Sequence, residues 1–377
     1  MIIMDIKLDN FLAFNNFHLN LSYPKKIVRS SIESENLQGR ENFRYKKVNI
    51  LMGGNSTGKT AIGRMLTEIF NSISKKTYKS LIDYINDKSK CAMFTIDFVL
   101  AEKDKKPGYK LYRVYTKILA AGEKTSNDGD ILTLVESVEV GEHDKYETCA
   151  KRLSDVIAKR EGVEKPHYAE ELQKITMPTC SFMFTGENLM GEELPGNFEK
   201  ILEHTLRCLD PAILKVKKLD GADKAYIVSM ANRDLIIREN EAIEGDLLSS
   251  GAKAGMGIAY ILSAIKAKMY SSYYCDEKFS NVHSDIEKAF LSLMISSLGE
   301  NSQLFFTTHN LSILDLDLPK HSYTFLKKDV TDDEQPIKCI SASQYLKKNT
   351  QSLRNAVEND LFSVAPSLDL VYEMEEA

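Results

Sequence analysis

Gly53-Gly-Asn-Ser-Thr-Gly-Lys-Thr60 matches G-x-x-x-x-G-K-[S/T] at every fixed position, and its surroundings decide the fold. Val48-Asn-Ile-Leu-Met52 runs into it as a short, continuous apolar segment, the pattern of a strand buried on both faces. Thr60 to Ile73 follows with the spacing of an amphipathic helix. Strand, glycine-rich loop and helix in that order make a phosphate-binding loop. Glycines let the backbone fold into a nest of N–H groups, and Lys59 adds a point charge on the same phosphate oxygens. The helix N-terminus contributes its dipole, and the Thr60 hydroxyl suits a Mg²⁺ ion. Gly53, Asn55, Ser56, Thr57, Gly58, Lys59 and Thr60 are therefore the expected nucleotide-binding residues.

Three segments further along complete a pattern. Tyr273-Tyr-Cys-Asp-Glu277 places adjacent carboxylates after a short apolar-aromatic strand. In that arrangement Asp276 holds Mg²⁺ through water and Glu277 polarises an attacking water. Leu304-Phe-Phe-Thr-Thr-His309 is a second buried strand, delivering a histidine at the carboxyl edge where parallel sheets bind ligands. There His309 can hydrogen-bond a γ-phosphate and the water. Between loop and acid pair, Leu248-Ser-Ser-Gly-Ala252 opens a helix. Taken singly, an acid pair is common on surfaces, a lone histidine is more often structural, and a Ser-Ser-Gly turn is an ordinary helix N-cap. Their order raises all of them together.

That order resembles the ABC ATPases, in particular the RecF/SMC/OLD-like branch with its AAA-15-type prokaryotic defence ATPases. The resemblance implies that Ser249, Ser250 and Gly251 stand for the LSGGQ-like signature, and Asp276 and Glu277 for Walker B with its catalytic glutamate. It makes His309 the switch histidine, catalytic beside Glu277 and Lys59, with Thr60 and Asp276 toward the metal. Asn10-Phe11 with Phe14 looks like the opening of this branch, and Arg354 to Tyr372, with Phe362, Ala365 and Pro366, looks like its close. There are departures. The signature reads LSSGA, Leu12 and Ala13 stand where relatives often carry a basic residue and serine, and no Q-loop glutamine can be placed beyond Gln173 as a candidate.

The implied fold class is α/β, a P-loop NTPase of the ABC type, with a mixed central sheet, an antiparallel β meander and a short helical insertion lobe. Period-two segments at Ala92 to Leu100, Tyr109 to Leu119 and Ile131 to Val140 predict the meander. The pattern turns helical from Asp144 to Cys208, broken by Pro166, Pro178 and Pro195, and 24–46 reads as an irregular insert. The expected division is 1–140 for the N-terminal part of the head, 141–212 for the lobe, 213–330 for the C-terminal part, and 331–377 for an extension packing on the head.

Composition bounds the rest. A length of 377 residues at 43% hydrophobic supports a large core, and a net charge of −5 provides no global basic field for nucleic acid. The six cysteines are scattered singly, which fits a reducing compartment. The N-terminus lacks a signal layout and no apolar run reaches membrane-span length, so the expectation is a cytoplasmic protein without a membrane. Lys46-Lys47, Lys103 to Lys106 and Lys215 to Lys218 read as basic runs on solvated faces. Leu314 to Asp317 and Thr331 to Glu334 read as solvated acidic turns.

In the ABC arrangement the signature caps the γ-phosphate held by a second copy, so the resemblance implies a homodimer or higher oligomer glued by ATP and Mg²⁺. Only 189 residues separate Thr60 from Ser249, too few for a long SMC-type arm. The 68 residues after His309 are expected to be too few for the TOPRIM domain of OLD nucleases. Similarity to the AbiL and PARIS ATPases implies a separate effector, such as a nuclease, in antiphage defence. A RecF-like ATPase that clamps DNA in repair is the alternative, and a transporter's nucleotide-binding subunit a weaker one.

Overall fold

The computed structural model describes the chain apart from residues 29, 103–107, 121–130, 161–165, 179–180, 187–193, 223, 239–240, 243–247, 333, 348–350, 363–371 and 375–377. The basic run 103–106, Cys180, position 333 of the acidic turn, and Ala365 and Pro366 lie outside the described residues.

In chain order the elements are β1 (Ile2–Asp9), β2 (Phe17–Asn20), β3 (Asn36–Leu37), β4 (Arg40–Arg44), β5 (Val48–Met52) and α1 (Lys59–Lys75). Next come β6 (Ala92–Ala101), β7 (Tyr109–Ile118), β8 (Ile131–Glu139), α2 (Tyr146–Arg160), α3 (Tyr168–Gln173), β9 (Phe182–Phe184) and α4 (Phe198–Leu209). A small antiparallel sheet follows, β10 (Ile213–Lys218), β11 (Ala225–Met230), β12 (Arg233–Arg238) and β13 (Glu241–Ala242), and then α5 (Ser250–Lys266). The chain continues through β14 (Ser272–Asp276), α6 (Ser284–Ser297), β15 (Gln303–Thr307), β16 (Tyr323–Lys328), β17 (Ile337–Ser341), α7 (Ala342–Tyr345) and α8 (Leu353–Glu358).

The central sheet runs β17-β16-β5-β15-β14-β9, parallel except for β17. Its middle strands are covered on both faces, which is why they read as unbroken apolar runs. Val48, Ile50, Met52, Leu304 and Phe306 point into one core, with α4, α5 and α6. Leu51, Phe305 and Tyr274 point into the other, with α1 and the antiparallel sheet β2-β1-β6-β7-β8. The apolar stretch from Met256 to Ile265 lies in α5, whose residues are buried almost all round between α4, α6 and β14. Among the described residues, no helix is long and apolar enough to cross a membrane.

Three local readings are corrected. The expected irregular insert contains the β3–β4 ribbon. The stretch read as helical carries β9, parallel to β14 at the sheet edge, a strand of three residues and too short to show a period. Lys46 and Lys47 are not on a solvated face: they are 6% and 3% exposed, because they lead directly into β5. Their ammonium groups bond the carbonyls of Asn20 and Glu33. In 141–212, α2 packs on β7 and β8, α3 on β8, and α4 on α5 and β10. A buried Asp97, held by Arg113 Nε and Nη2 at 2.6 Å each and by the Tyr146 hydroxyl at 2.7 Å, fastens α2 to the antiparallel sheet.

Candidate nucleotide-binding and hydrolysis site

Five parallel strands end at the same edge, and each delivers part of the site. β5 ends in the glycine-rich loop, which enters α1 at Gly58 with φ 90°, a left-handed conformation that favours glycine. A side chain at Gly53 would lie 2.5 Å from the Leu326 carbonyl oxygen of β16, so the loop's close seat against that strand also requires glycine. Gly63 lets α1 approach β9 and β14, since a Cβ there would meet Phe184 at 2.4 Å and Tyr274 at 2.9 Å. The Tyr274 hydroxyl, buried beneath the loop, donates to the Lys59 carbonyl.

The Lys59 ammonium folds back over the loop, donating to the carbonyls of Gly53 at 2.8 Å and Gly54 at 2.9 Å, and lies 3.3 Å from Glu277 Oε1. Burial pushes its pKa below the ordinary lysine value, and the Glu277 carboxylate opposes that shift. Thr57 caps the loop internally through the Gly54 carbonyl.

β14 ends at Asp276. Its carboxylate accepts from the Thr60 and Thr307 hydroxyls, the latter at 2.9 Å. Burial raises its pKa, partly offset by those two hydrogen bonds. Glu277 follows at φ 47°, uncommon for a residue with a side chain, and its N–H is held by Thr307 Oγ1 at 2.9 Å. Its Oε1 lies 2.9 Å from His309 Nε2. Glu277 therefore stands between the lysine of the first strand–loop unit and the histidine just beyond β15.

Glu287 of α6 is a residue that the sequence reading missed. It is 2% exposed, and its carboxylate accepts from Thr308 Oγ1 and Asn310 Nδ2, both at 2.7 Å, on either side of His309. Burial raises its pKa. A helical glutamate looks like a surface residue in sequence; only tertiary contact reveals it. β9 was missed as well: Thr185 Oγ1 donates to the Tyr274 carbonyl and accepts the Asp276 N–H, while Lys278 bonds the Gly186 carbonyl. Gln173 is exposed at the end of α3, away from these groups.

A cleft of about 1420 Å³ opens over the loop. Asn55, Ser56, Thr57, Gly58, Lys59, Thr60 and Glu277 line it, joined by Arg64 of α1. Its far wall is the β1–β2 turn with Asn10, Leu12 and Ala13, and Lys328 at the end of β16. Ser249, Ser250 and Gly251 are not among the lining residues. Ser249 and Ser250 are exposed at the start of α5, with Ser249 capping the helix through the Ala252 N–H. Gly251 faces the carbonyl of Asn281, in the loop that leaves Glu277.

The donor set fits Mg²⁺ with a polyphosphate. The Thr60 hydroxyl and Asp276 carboxylate, both hard oxygen donors, already meet, and Mg²⁺ is ordinarily held by one or two such groups together with substrate phosphates. Among the described residues no cluster of three His, Cys, Asp or Glu forms an all-protein metal cage.

No family model and no curated protein matches the sequence. Solved structures do match. An SMC head bound to the C-winged helix domain of ScpA aligns over 92% of this chain and 100% of its own, at 13% identity and a TM-score of 0.50. The SMC head of Pyrococcus yayanosii, with a coiled coil and joint, aligns over 93% and 100% at 11% identity and a TM-score of 0.49. The SMC head domain from Thermotoga maritima aligns over 90% and 99% at 13% identity and a TM-score of 0.42. At these identities the likeness concerns the fold: an α/β ABC-type P-loop NTPase architecture similar to that of an SMC head domain.

Proposed function

We propose that the chain is an ATP-hydrolysing switch that closes two nucleotide sites between paired copies and thereby governs a separate effector, a nuclease, in prokaryotic antiphage defence. The observation that carries the hydrolytic reading is the convergence of Lys59, Glu277 and His309 above a phosphate-type loop, with Asp276 beside Thr60.

The chemistry follows from the charges. The loop amides and the α1 N-terminus receive the β- and γ-phosphates of ATP. The γ-phosphate competes with the Gly53 and Gly54 carbonyls and with Glu277 for the Lys59 ammonium. Glu277, released from the lysine, orients water and takes its proton, and His309 Nε2 bonds the γ-phosphate. Thr60 and Asp276 would hold Mg²⁺, which neutralises charge on the phosphate oxygens.

The dimer reading is supported by the signature turn. Ser249 and Ser250 are exposed and outside their own cleft, as a group that serves a second copy must be. The effector and the defence role are supported by the resemblance to AbiL and PARIS ATPases alone. Buried Lys46 and Lys47 take one basic run out of contention for the DNA-clamping alternative.

The test is Glu277→Gln, which retains the side chain's shape and removes the base. The variant should bind ATP, hydrolyse it at least about 100-fold more slowly, and run as a dimer in ATP–Mg²⁺ by light scattering. An ATP-bound variant that stays as monomeric as the nucleotide-free protein refutes the paired sites. Co-purification with a nuclease encoded beside it tests the effector.

A further inference from the structure

Behind the nucleotide cleft, at the other end of β16, lies a second cavity of about 550 Å³ between β2, the 22–25 turn, β16 and β17. Lys46, Thr324, Lys25 and Lys347 are among its lining residues, and no Asp or Glu is.

Two features make it a built site rather than a surface dent. Lys46 is buried, and its ammonium donates to one acceptor, the Asn20 carbonyl at 3.0 Å. Among the described residues no carboxylate lies within ion-pair distance of it. A buried ammonium without a counter-charge is costly, and burial has pushed its pKa down to about 8. Thr324, 2% exposed, also lines the cavity, and its buried hydroxyl has no hydrogen-bond partner. Buried polar groups are almost always satisfied, so an orphan lining the same cavity as an uncompensated cation calls for a ligand. Water can satisfy a hydroxyl. It does not supply the negative charge that the ammonium lacks.

The rim agrees in sign. Lys25 and Lys347 are exposed at its edge, and the Ser341 and Ser343 hydroxyls, 3.1 Å apart, add neutral donors. Two carboxylates stand behind the wall, each engaged by a lining residue: Asp5 by His18 and Asn20, and Glu147 by the Ser22 hydroxyl.

We infer that this cavity is an oxyanion site, taking phosphate or the phosphoryl group of a small phosphomonoester, with Lys46 and Thr324 at its floor and Lys25 and Lys347 at its mouth. The inference does not depend on the proposed hydrolytic function. Its position gives it reach, since Thr324 and the cleft-lining Lys328 are on one strand, roughly 13 Å apart along it.

The full chain is first saturated with ADP–Mg²⁺ so that the glycine-rich loop is occupied. Inorganic phosphate and, separately, phosphoethanolamine are then titrated by calorimetry, with ³¹P NMR as a second readout. Saturable one-site binding of either probe is expected. Binding of phosphate alone identifies the free anion, and binding of the ester alone identifies a phosphomonoester. Lys46→Met should weaken it at least tenfold, and Thr324→Val and the double variant Lys25→Ala/Lys347→Ala each several-fold. The last two variants decide the matter should Lys46→Met fail to fold. No binding of either probe, or an adventitious ion only, with binding indifferent to all three variants, overturns the assignment.

Discussion

Glu287→Gln separates positioning from stability in the segment around His309. The wild-type carboxylate makes two bonds of 2.7 Å, to Thr308 Oγ1 and Asn310 Nδ2, flanking His309. Hydrogen bonds to a charged group contribute about 1.5–3 kcal/mol each, and neutral ones about 0.5–1.5 kcal/mol. Glutamine keeps one acceptor and turns an NH₂ group toward the other donor, so one bond is lost and one weakened. The gross loss is about 2–4 kcal/mol. Against this, the variant no longer buries a carboxylate, and that burial is what raises the pKa of Glu287. Global stability should therefore change by only about 1–2 kcal/mol, while the segment loses the contacts that aim His309 at Glu277. If about 1.4–2.8 kcal/mol of that alignment reaches the transition state, kcat falls roughly 10- to 100-fold with KM nearly constant. The sign with pH is fixed as well. A carboxyl with a raised folded pKa holds its proton where the unfolded chain has released it. Its stabilising contribution is thus full at low pH and lost as pH rises through the folded value. The wild-type-minus-variant stability difference should shrink as pH rises from the ordinary carboxylate range. Steady-state ATPase kinetics and urea denaturation across pH measure both. A folded variant with kcat within twofold of wild type refutes the positioning role.

Other perturbations give independent readings. Lys59→Ala removes the ammonium from the loop and should weaken fluorescent-ATP binding by about 100-fold or more; ordinary affinity would remove the P-loop assignment. Gly63→Val drives a side chain into Phe184 and Tyr274, so a loss of about 1–3 kcal/mol in chemical denaturation is expected, with a weaker nucleotide site because Tyr274 supports Lys59. An unchanged midpoint would show that α1 does not pack as described. For Lys46, a pKa carried from 10.5 to about 8 corresponds to about 3 kcal/mol. The folded chain releases that proton before the unfolded chain does, so wild-type stability relative to Lys46→Met should rise by about that amount between pH 8 and 10.5. A flat difference contradicts the buried ammonium.

How much was legible depended on whether a residue's role is local. The loop at 53–60, the buried strands β5 and β15 and the meander β6–β7–β8 could be read because turn chemistry and periodicity write themselves into contiguous residues. Asp276, Glu277 and His309 were legible only as strand ends in a particular order, and their convergence needed the sheet order β5-β15-β14, which no local pattern encodes. Glu287 and Tyr274 were illegible because each acts through a contact distant in sequence, the latter with Lys59, 215 positions away. β9 escaped because three residues hold no period. Lys46 and Lys47 misled because a charged pair ordinarily marks solvent, and here the chain enters the sheet at once. Gln303 is a further case. It opens β15, one residue ahead of the buried run read from Leu304, and its amide stitches Ile3 of β1 to Lys46, a bridge between sheets that polarity alone does not foretell.

Paired nucleotide sites require one chain's 249–251 turn to complete the pocket of another. Mixing a Lys59→Ala chain with a Ser250→Arg chain tests this directly, because each alone is inactive for a different reason. In a two-fold sandwich the mixed dimer has one intact site, formed by the unaltered loop of one chain and the unaltered turn of the other. Random pairing makes half the dimers mixed, so ATPase activity should return to about a quarter of wild type. Activity that stays at the level of the separate variants would contradict the shared site.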